Sequence, residues 1–430
     1  MNTLLLDHAL LPDGIASDVE VTIKDGRFTS VRPATESTAP RLEGLTLPGM
    51  ANCHSHAFHR ALRGHTQAER GTFWTWRDQM YAVAQKLTPD SYYDLARATY
   101  AEMVSTGITT VGEFHYIHHQ PDGSAYADPN AMGSALISAA RDVGMRITLL
   151  DTCYLASGFG TAPVGAQIRY SDGSAEAWAT RVAALNEDAM TKVGAALHSV
   201  RAVPKNEMPT VVAAAQGKPL HVHLSEQVAE NEACQAAHQQ TPTQLLADVG
   251  ALGINTSAVH ATHLTQGDIA LLGDSHTTSC FCPTTERDLG DGIGPSRELL
   301  AAGSPLSLGS DSHAVIDLFE EMRALEMNER LATQARGHWS GIELVEAATR
   351  HDSLGWADVG RIEVGAQADL VTISMTSPTT AGCAASYETV AMATSSYDVR
   401  QVRIAGRLVF DGDRDTIGND LTQAIAQVRQ

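Results

Sequence analysis

Two histidines at i and i+2, His54 and His56 in LPGMANCHSHAFHR, are the first residues of this chain whose types and spacing suggest chemistry. In an extended strand, side chains two apart share a face, so two imidazoles can grip one metal ion at a strand end. The same pair can be two ordinary half-buried histidines. The two readings are separated by whether further ligands occur at the ends of later strands. Candidates do occur there: His223 in PLHVHLSE with Glu226 three residues on, His260 in SAVHATH, and Asp311 in PLSLGSDS. Three imidazoles and one carboxylate, with a position open for water, suit a catalytic Zn²⁺ that lowers the pKa of bound water toward about 7. Fe²⁺ or Mn²⁺ fits the same ligands. His221 competes with His223 on one face, and His263 stands in the same relation to His260; both are read as supporting histidines. Cys280 and Cys282 alternate in TTSCFCPTT and are read as small buried hydrophobes rather than thiolate ligands.

The elements that must position these groups follow from hydrophobic patterning. Strand-like runs occur at 109–116, 145–154, 192–200, 219–226, 257–263, 276–283 and 305–312, with amphipathic stretches such as SYYDLARATYAEMVSTG between them. With the apolar run Leu45 to Met50 they make eight βα units. That is the count of a (β/α)₈ barrel, an α/β fold whose functional groups sit at the C-terminal ends of its strands. An open doubly wound sheet is the competing topology, but no G-x-G-x-x-G follows the first strand. Both termini are β-rich. Asp25-Gly26 and Ala405-Gly406 are hairpin-turn signals, and the two ends are expected to pair. The expected division is 1–48 and 366–430 as a small β-sandwich and 49–365 as the barrel.

The chain has 430 residues and a formal charge of −20. That acidity argues against nucleic acid and anionic membrane as partners. An anionic substrate would therefore need local cations. No apolar run approaches the roughly 20 residues of a membrane span. The first residues lack a basic segment followed by a cleavage site, so no signal peptide is read. Six scattered cysteines without a C-x-x-C pair fit reduced thiols in the cytoplasm.

The pattern of ligands, and the return GRIEVGAQADLVTI toward the terminal strands, resembles the amidohydrolase superfamily in its mononuclear deaminase branch. The resemblance covers essentially the whole chain and implies a metal-bearing (β/α)₈ barrel with a small sandwich from both termini. LHSVRAV carries no lysine placed to bridge two metals, which favours one metal per subunit. HSHAFHRALRG, FWTWRDQMY, EFHYIHH, LHSVRAV, HVHLSEQ, VHATH and CPTTERDLGDGIGP together resemble the formimidoylglutamate deiminase family of histidine degradation. That family converts N-formimino-L-glutamate and water to N-formyl-L-glutamate and ammonia.

Position by position, the resemblance implies zinc on His54, His56, His223 and Asp311. It implies catalytic roles for Glu226, His260 and Asp311, and substrate contacts from Arg77, Tyr116, His198 and Arg201. The substrate is a small dicarboxylic formimino amino acid, and the family tends to homodimers. One position departs: the family motif often reads HAFQR, with glutamine beside the substrate, where this chain has His59. A histidine can hydrogen-bond in its place. Two arginines suit two carboxylates, because a guanidinium binds a carboxylate through paired hydrogen bonds. Trp74 and Trp76 are expected to pack a loop over the barrel mouth, and DLGDG to be a mobile turn. The rivals are a deaminase of purines, pterins or triazines, which needs no pair of carboxylate-binding arginines, and a non-catalytic metal-bearing interaction protein.

Overall fold

The computed structural model describes residues 2–34, 36–66 and 73–429, without the side chains of 73 and 74. The chain starts with four strands, β1 (Asn2–Leu11), β2 (Gly14–Lys24), β3 (Arg27–Pro33) and β4 (Arg41–Pro48). Eight more follow at intervals: β5 (Met50–Ser55), β6 (Ile108–His115), β7 (Arg146–Cys153), β8 (Thr191–Ser199), β9 (Leu220–Leu224), β10 (Thr256–His260), β11 (Thr278–Phe281) and β12 (Leu306–Leu308). The last three are β13 (Leu370–Ile373), β14 (Val399–Ile404) and β15 (Arg407–Phe410).

Strands β5 to β12 form one parallel eight-stranded sheet in sequence order, and a parallel bridge between Ser55 and Asp311 closes it into a barrel. Every residue of β5, β6 and β7 is buried, as expected of parallel strands covered on both faces. Threonine caps start several of the outer helices. Thr88 accepts from the Ser91 N–H ahead of the helix Pro89–Ser105, with proline at its first position. Inside the barrel, Ala51, Cys53, Val259, Cys280 and Cys282 pack on Leu354, Trp356 and Val359, a segment that plugs the end opposite the active side. Cys280 and Cys282 are thus core residues, as their alternation suggested.

The remaining seven strands form a second sheet in the order β15-β14-β13-β4-β1-β2-β3, joining both ends of the chain. The two turns foreseen from sequence stack on one another. Asp25 and Gly26 have φ of 51° and 79°, Ala405 and Gly406 have 49° and 75°, and a Cβ on Gly26 would stand 3.1 Å from that of Ala405. Two details differ from the sequence pattern. The run Leu45 to Met50 does not form one strand: it ends β4 in the terminal sheet, and the barrel begins anew at Met50. The change of sheet occurs at Gly49, where a Cβ would lie 2.2 Å from Thr109 Oγ1. The C-terminal stretch is also not all β, because its last element is a helix, Asp415–Arg429, packed on Pro89–Ser105 and tied by Asp420 to Arg97 at 2.8 Å.

Candidate active site

Four strand ends bring their side chains to one point. His54 lies in β5 and His56 just beyond it, His223 in β9, His260 at the end of β10, and Asp311 three residues past β12. His54 Nε2 stands 3.1 Å from His223 Nε2 and 3.4 Å from Asp311 Oδ1, and His56 Nε2 is also 3.4 Å from Asp311 Oδ1. Ligand atoms placed 2.0–2.1 Å from a tetrahedral zinc are separated by about 3.3–3.4 Å. The donor set therefore fits one such ion. Two further observations support the fit. His56 and His223 each donate Nδ1–H to a backbone carbonyl, of Phe114 and of His198, both at 2.9 Å, which leaves each Nε2 lone pair facing the cluster. Burial pushes the His54 pKa down to about 3 and lowers those of His56 and His223, so all three are neutral, the state that ligates a metal.

His260 sits beside these groups in a different electrostatic setting. Its Nε2 is 3.7 Å from Asp311 Oδ2 and 3.9 Å from Glu226 Oε1, and its Nδ1 is 3.5 Å from Glu286 Oε1. Burial opposes charge on this ring, but the three carboxylates outweigh it and hold its pKa well above the usual value. Asp311 is likewise buried, yet His54, His260 and His56 keep its carboxyl below the usual range.

Local backbone geometry aims these side chains. Ser225, His260 and Asp311 take left-handed φ of 51°, 71° and 41°, a conformation costing about 1–3 kcal/mol each for non-glycine residues and concentrated at functional sites. Asp311 is held by its N–H to His54 O at 3.0 Å. Asn52 and Ser310 hold the same seam reciprocally, through Nδ2 to Ser310 Oγ at 2.7 Å and the Ser310 N–H to Oδ1 at 2.9 Å. Gly309 permits this closeness, since a Cβ there would meet His54 atoms at 2.8–2.9 Å. Beneath the histidine pair, Glu113 accepts from Ala57 N–H at 2.7 Å and Ser55 Oγ at 2.8 Å. Burial pushes its carboxyl up to about 8 against the pull of those bonds.

A cavity of about 520 Å³ opens over the cluster, lined by His56, His223, Glu226, His260 and Asp311 on one side of the donor set. His59, Arg77, Tyr116, His198 and Arg201 line the same cavity, so every expected substrate-contact residue faces it. His59 Nε2 lies 3.2 Å from the Tyr116 hydroxyl and its ring is 4.6 Å from that of His56. Trp76 also lines the cavity, 5.2 Å from the His59 ring; the Trp74 side chain lies outside the described residues. Arg201 has an internal partner that sequence reading missed: buried Glu230, with Nε and Oε1 3.6 Å apart.

His221 bonds the Ser353 carbonyl at 3.3 Å, deeper in the barrel than the donor set, and His263 bonds the Asp291 carbonyl at 2.8 Å. The DLGDG turn is tied down, since Asp291 is buried, accepts from Gln227 and bonds Glu286 O through its N–H at 2.9 Å. In EFHYIHH, only Tyr116 reaches the cavity. His115 and His118 cluster with Asp151, but Arg181 contributes two bonds to that carboxylate at 2.8 and 2.9 Å and Trp178 a third at 3.0 Å. With those oxygens occupied and a guanidinium alongside, this group is an ion-pair brace rather than a cation site. Glu286, Glu230, Asn52 and Glu113 were not foreseen. Glu113 and Glu286 lie inside motifs singled out from sequence, but their roles depend on distances no spacing reveals.

Comparison with known proteins agrees with this geometry. The model described as "Amidohydrolase family" matches residues 45–409. Formimidoylglutamate deiminase of Pseudomonas aeruginosa is 36% identical, with 100% of this chain and 99% of that protein aligned. 5-Methylthioadenosine/S-adenosylhomocysteine deaminase of Pelotomaculum thermopropionicum is 26% identical over 97% of this chain and 94% of its own. Among solved structures, an amidohydrolase from Brucella melitensis superposes with a TM-score of 0.92 at 30% identity, covering 100% of both chains.

Proposed function

This chain belongs to the amidohydrolase family, and from that premise we propose that it hydrolyses N-formimino-L-glutamate to N-formyl-L-glutamate and ammonia, a step of histidine degradation. The observation that carries this substrate is the cavity: Arg77 and Arg201 line it together with His56, His223 and Asp311 of the donor set, as a dicarboxylate with one reactive amidine carbon requires. The 36% identity to the Pseudomonas aeruginosa deiminase over the full chain supports the same choice.

His54, His56, His223 and Asp311 would hold one divalent ion, with Zn²⁺ favoured by three imidazoles and a carboxylate. When bound, such an ion lowers the pKa of a water and supplies the nucleophile. The chain's own groups then manage protons and position. Asp311 takes the proton released as the C–O bond forms, and His260, 3.7 Å away and held protonated by its carboxylate neighbours, orients the attack. Glu226, 3.9 Å from His260, delivers a proton to the formimino nitrogen, which leaves as ammonia when the C–N bond breaks. Positioned acid–base groups of this kind contribute about 10²–10⁴-fold each. Arg77 and Arg201 bind the carboxylates, and Tyr116, His198 and His59 supply uncharged hydrogen bonds at the formimino side. His198 is suited to this, since burial and Arg201 hold it neutral. Among the described residues no helix is long and apolar enough to cross a membrane. Six free cysteines, five of them buried, support a cytoplasmic setting, and the family's habit supports a homodimer.

The test is ammonia release by protein of defined metal content over a panel of formimino amino acids and purine nucleosides. Turnover of N-formimino-L-glutamate above all others is expected. Its absence, alongside turnover of a purine, would overturn the reading.

A further inference from the structure

Beyond the arginines, the cavity wall contains a hydrogen-bond fork that nothing in the reaction yet uses. Gln167, 7% exposed in the short 3₁₀ segment Gly165–Tyr170, directs Nε2 at two phenols: Tyr154 Oη at 2.8 Å and Tyr81 Oη at 3.2 Å. The amide orientation is set independently, because Gln167 Oε1 accepts the Val164 N–H at 3.3 Å. With its oxygen engaged by a donor, the amide presents only N–H to the tyrosines. Both phenol oxygens are therefore acceptors toward Gln167, and both must spend their own O–H elsewhere. All three side chains line the cavity. Burial raises both phenol pKa values, so the hydroxyls remain protonated donors.

Position in the cavity says which ligand group they meet. From the metal-ligating side, His223 contacts the His198 ring at 5.1 Å, and His198 contacts the Tyr154 ring at 4.7 Å. Tyr154 is thus two rings removed from the donor set, and Gln167 and Tyr81 are its next neighbours. Arg77 lies over the Tyr81 ring, 5.6 Å from its centroid, and Arg201 lies near enough to both phenols to act on their ionisation. Two fixed O–H donors beside two guanidinium groups make an anion site at the end of the cavity away from the reacting carbon.

We propose that Tyr81 and Tyr154, polarised in one direction by Gln167, form the subsite for the carboxylate farthest from the reacting carbon, and that Gln167 is the positioning residue that makes the site select dicarboxylates. The proposal deepens the substrate reading above and rests on it.

The deciding substitution is Gln167→Glu, which keeps size and shape but presents an acceptor where the fork now donates. The tyrosines would turn their O–H groups to it and leave the cavity. Expected for the metal-loaded enzyme is a KM for N-formimino-L-glutamate raised about 10–100-fold, the worth of one or two hydrogen bonds to a charged group, with kcat within a few-fold. N-Formimino-L-norvaline, in which methyl replaces the distal carboxylate, should be a poor substrate whose kcat/KM does not respond to the substitution. Tyr81→Phe/Tyr154→Phe should raise KM for the dicarboxylate as much, and adding Gln167→Glu to that pair should change nothing further. Equal loss on both substrates, a fall in kcat rather than a rise in KM, or additive losses would overturn the subsite while leaving the deiminase reading standing. Glutarate binding, measured by calorimetry on the same metal-loaded proteins, does not depend on turnover. Weakening by tenfold or more in Gln167→Glu supports the subsite, and unchanged binding overturns it, even were another substrate found.

Discussion

Asn52→Leu tests whether the seam between the first and last barrel strands, rather than the ligands alone, creates the metal site. Asn52 and Ser310 are both fully buried. The amide makes two hydrogen bonds to Ser310, at 2.7 and 2.9 Å, and Asp311 is the next residue along. Leucine fills nearly the same volume, so little of the effect is cavity. What is lost is both bonds, and what remains is the Ser310 N–H and hydroxyl, buried beside a hydrocarbon. A buried donor left without a partner costs about 1–3 kcal/mol. Since only one side of the pair is removed, the expected destabilisation is roughly 2–4 kcal/mol. The second consequence is positional. Asp311 holds a left-handed φ of 41° through its bond to His54 O, and the seam resists its relaxation. Loss of such outer support typically lowers metal affinity about 10–100-fold. Thermal unfolding of the metal-free protein measures the first effect, and competition with a chelator the second. Normal metal affinity in a folded Asn52→Leu protein would refute the claim that this seam positions Asp311.

Glu226→Gln should retain its metal by elemental analysis while ammonia release falls about 10²–10⁴-fold; undiminished release would remove Glu226 as proton donor. Arg201→Met should raise KM and lower kcat/KM for the dicarboxylate, whereas full activity would reduce Arg201 to a partner for Glu230. In the metal-free protein, His54, His56 and His223 have folded pKa values below their unfolded ones, His54 at about 3 against 6.5. Where the folded value is depressed, the unfolded chain binds more protons in the interval, so stability is full above about 6.5 and is lost as pH falls toward about 3. Thermal scans should show this acid decline reduced in His54→Asn, and an identical decline in the variant would count against burial as its cause.

Much of this protein was legible in the linear chain because strand spacing and side-chain alternation are local. Two histidines at i and i+2 share a face in any strand, and repeated apolar runs with helices between them imply a barrel that gathers their C-terminal ends. Residue type and strand position single out His54, His56, His223, Glu226, His260 and Asp311, and the resemblance adds Arg77, Tyr116, His198, Arg201 and His59; all of them surround one cavity or stand directly behind it. The hairpin turns at Gly26 and Gly406 were legible for the same reason, since left-handed turn geometry is written in residue type.

What only the tertiary structure decided involves residues distant in sequence acting on one another. The apolar run ending at Pro48 belongs to the terminal sheet because Asp369 and its neighbours pair there, a partner more than 300 positions away; the Gly49 N–H itself bonds Asp369 O at 3.1 Å. Glu113, Glu286 and Glu230 are unremarkable acids until folding buries them under Ser55, beside His260 and against Arg201. His115 and His118 resemble ligands by type, yet Arg181 occupies their carboxylate. Residue type and period determine which side chains can meet at a strand end. Burial and long-range pairing then determine which are charged, which are braced, and which are left facing the cavity with a bond to give.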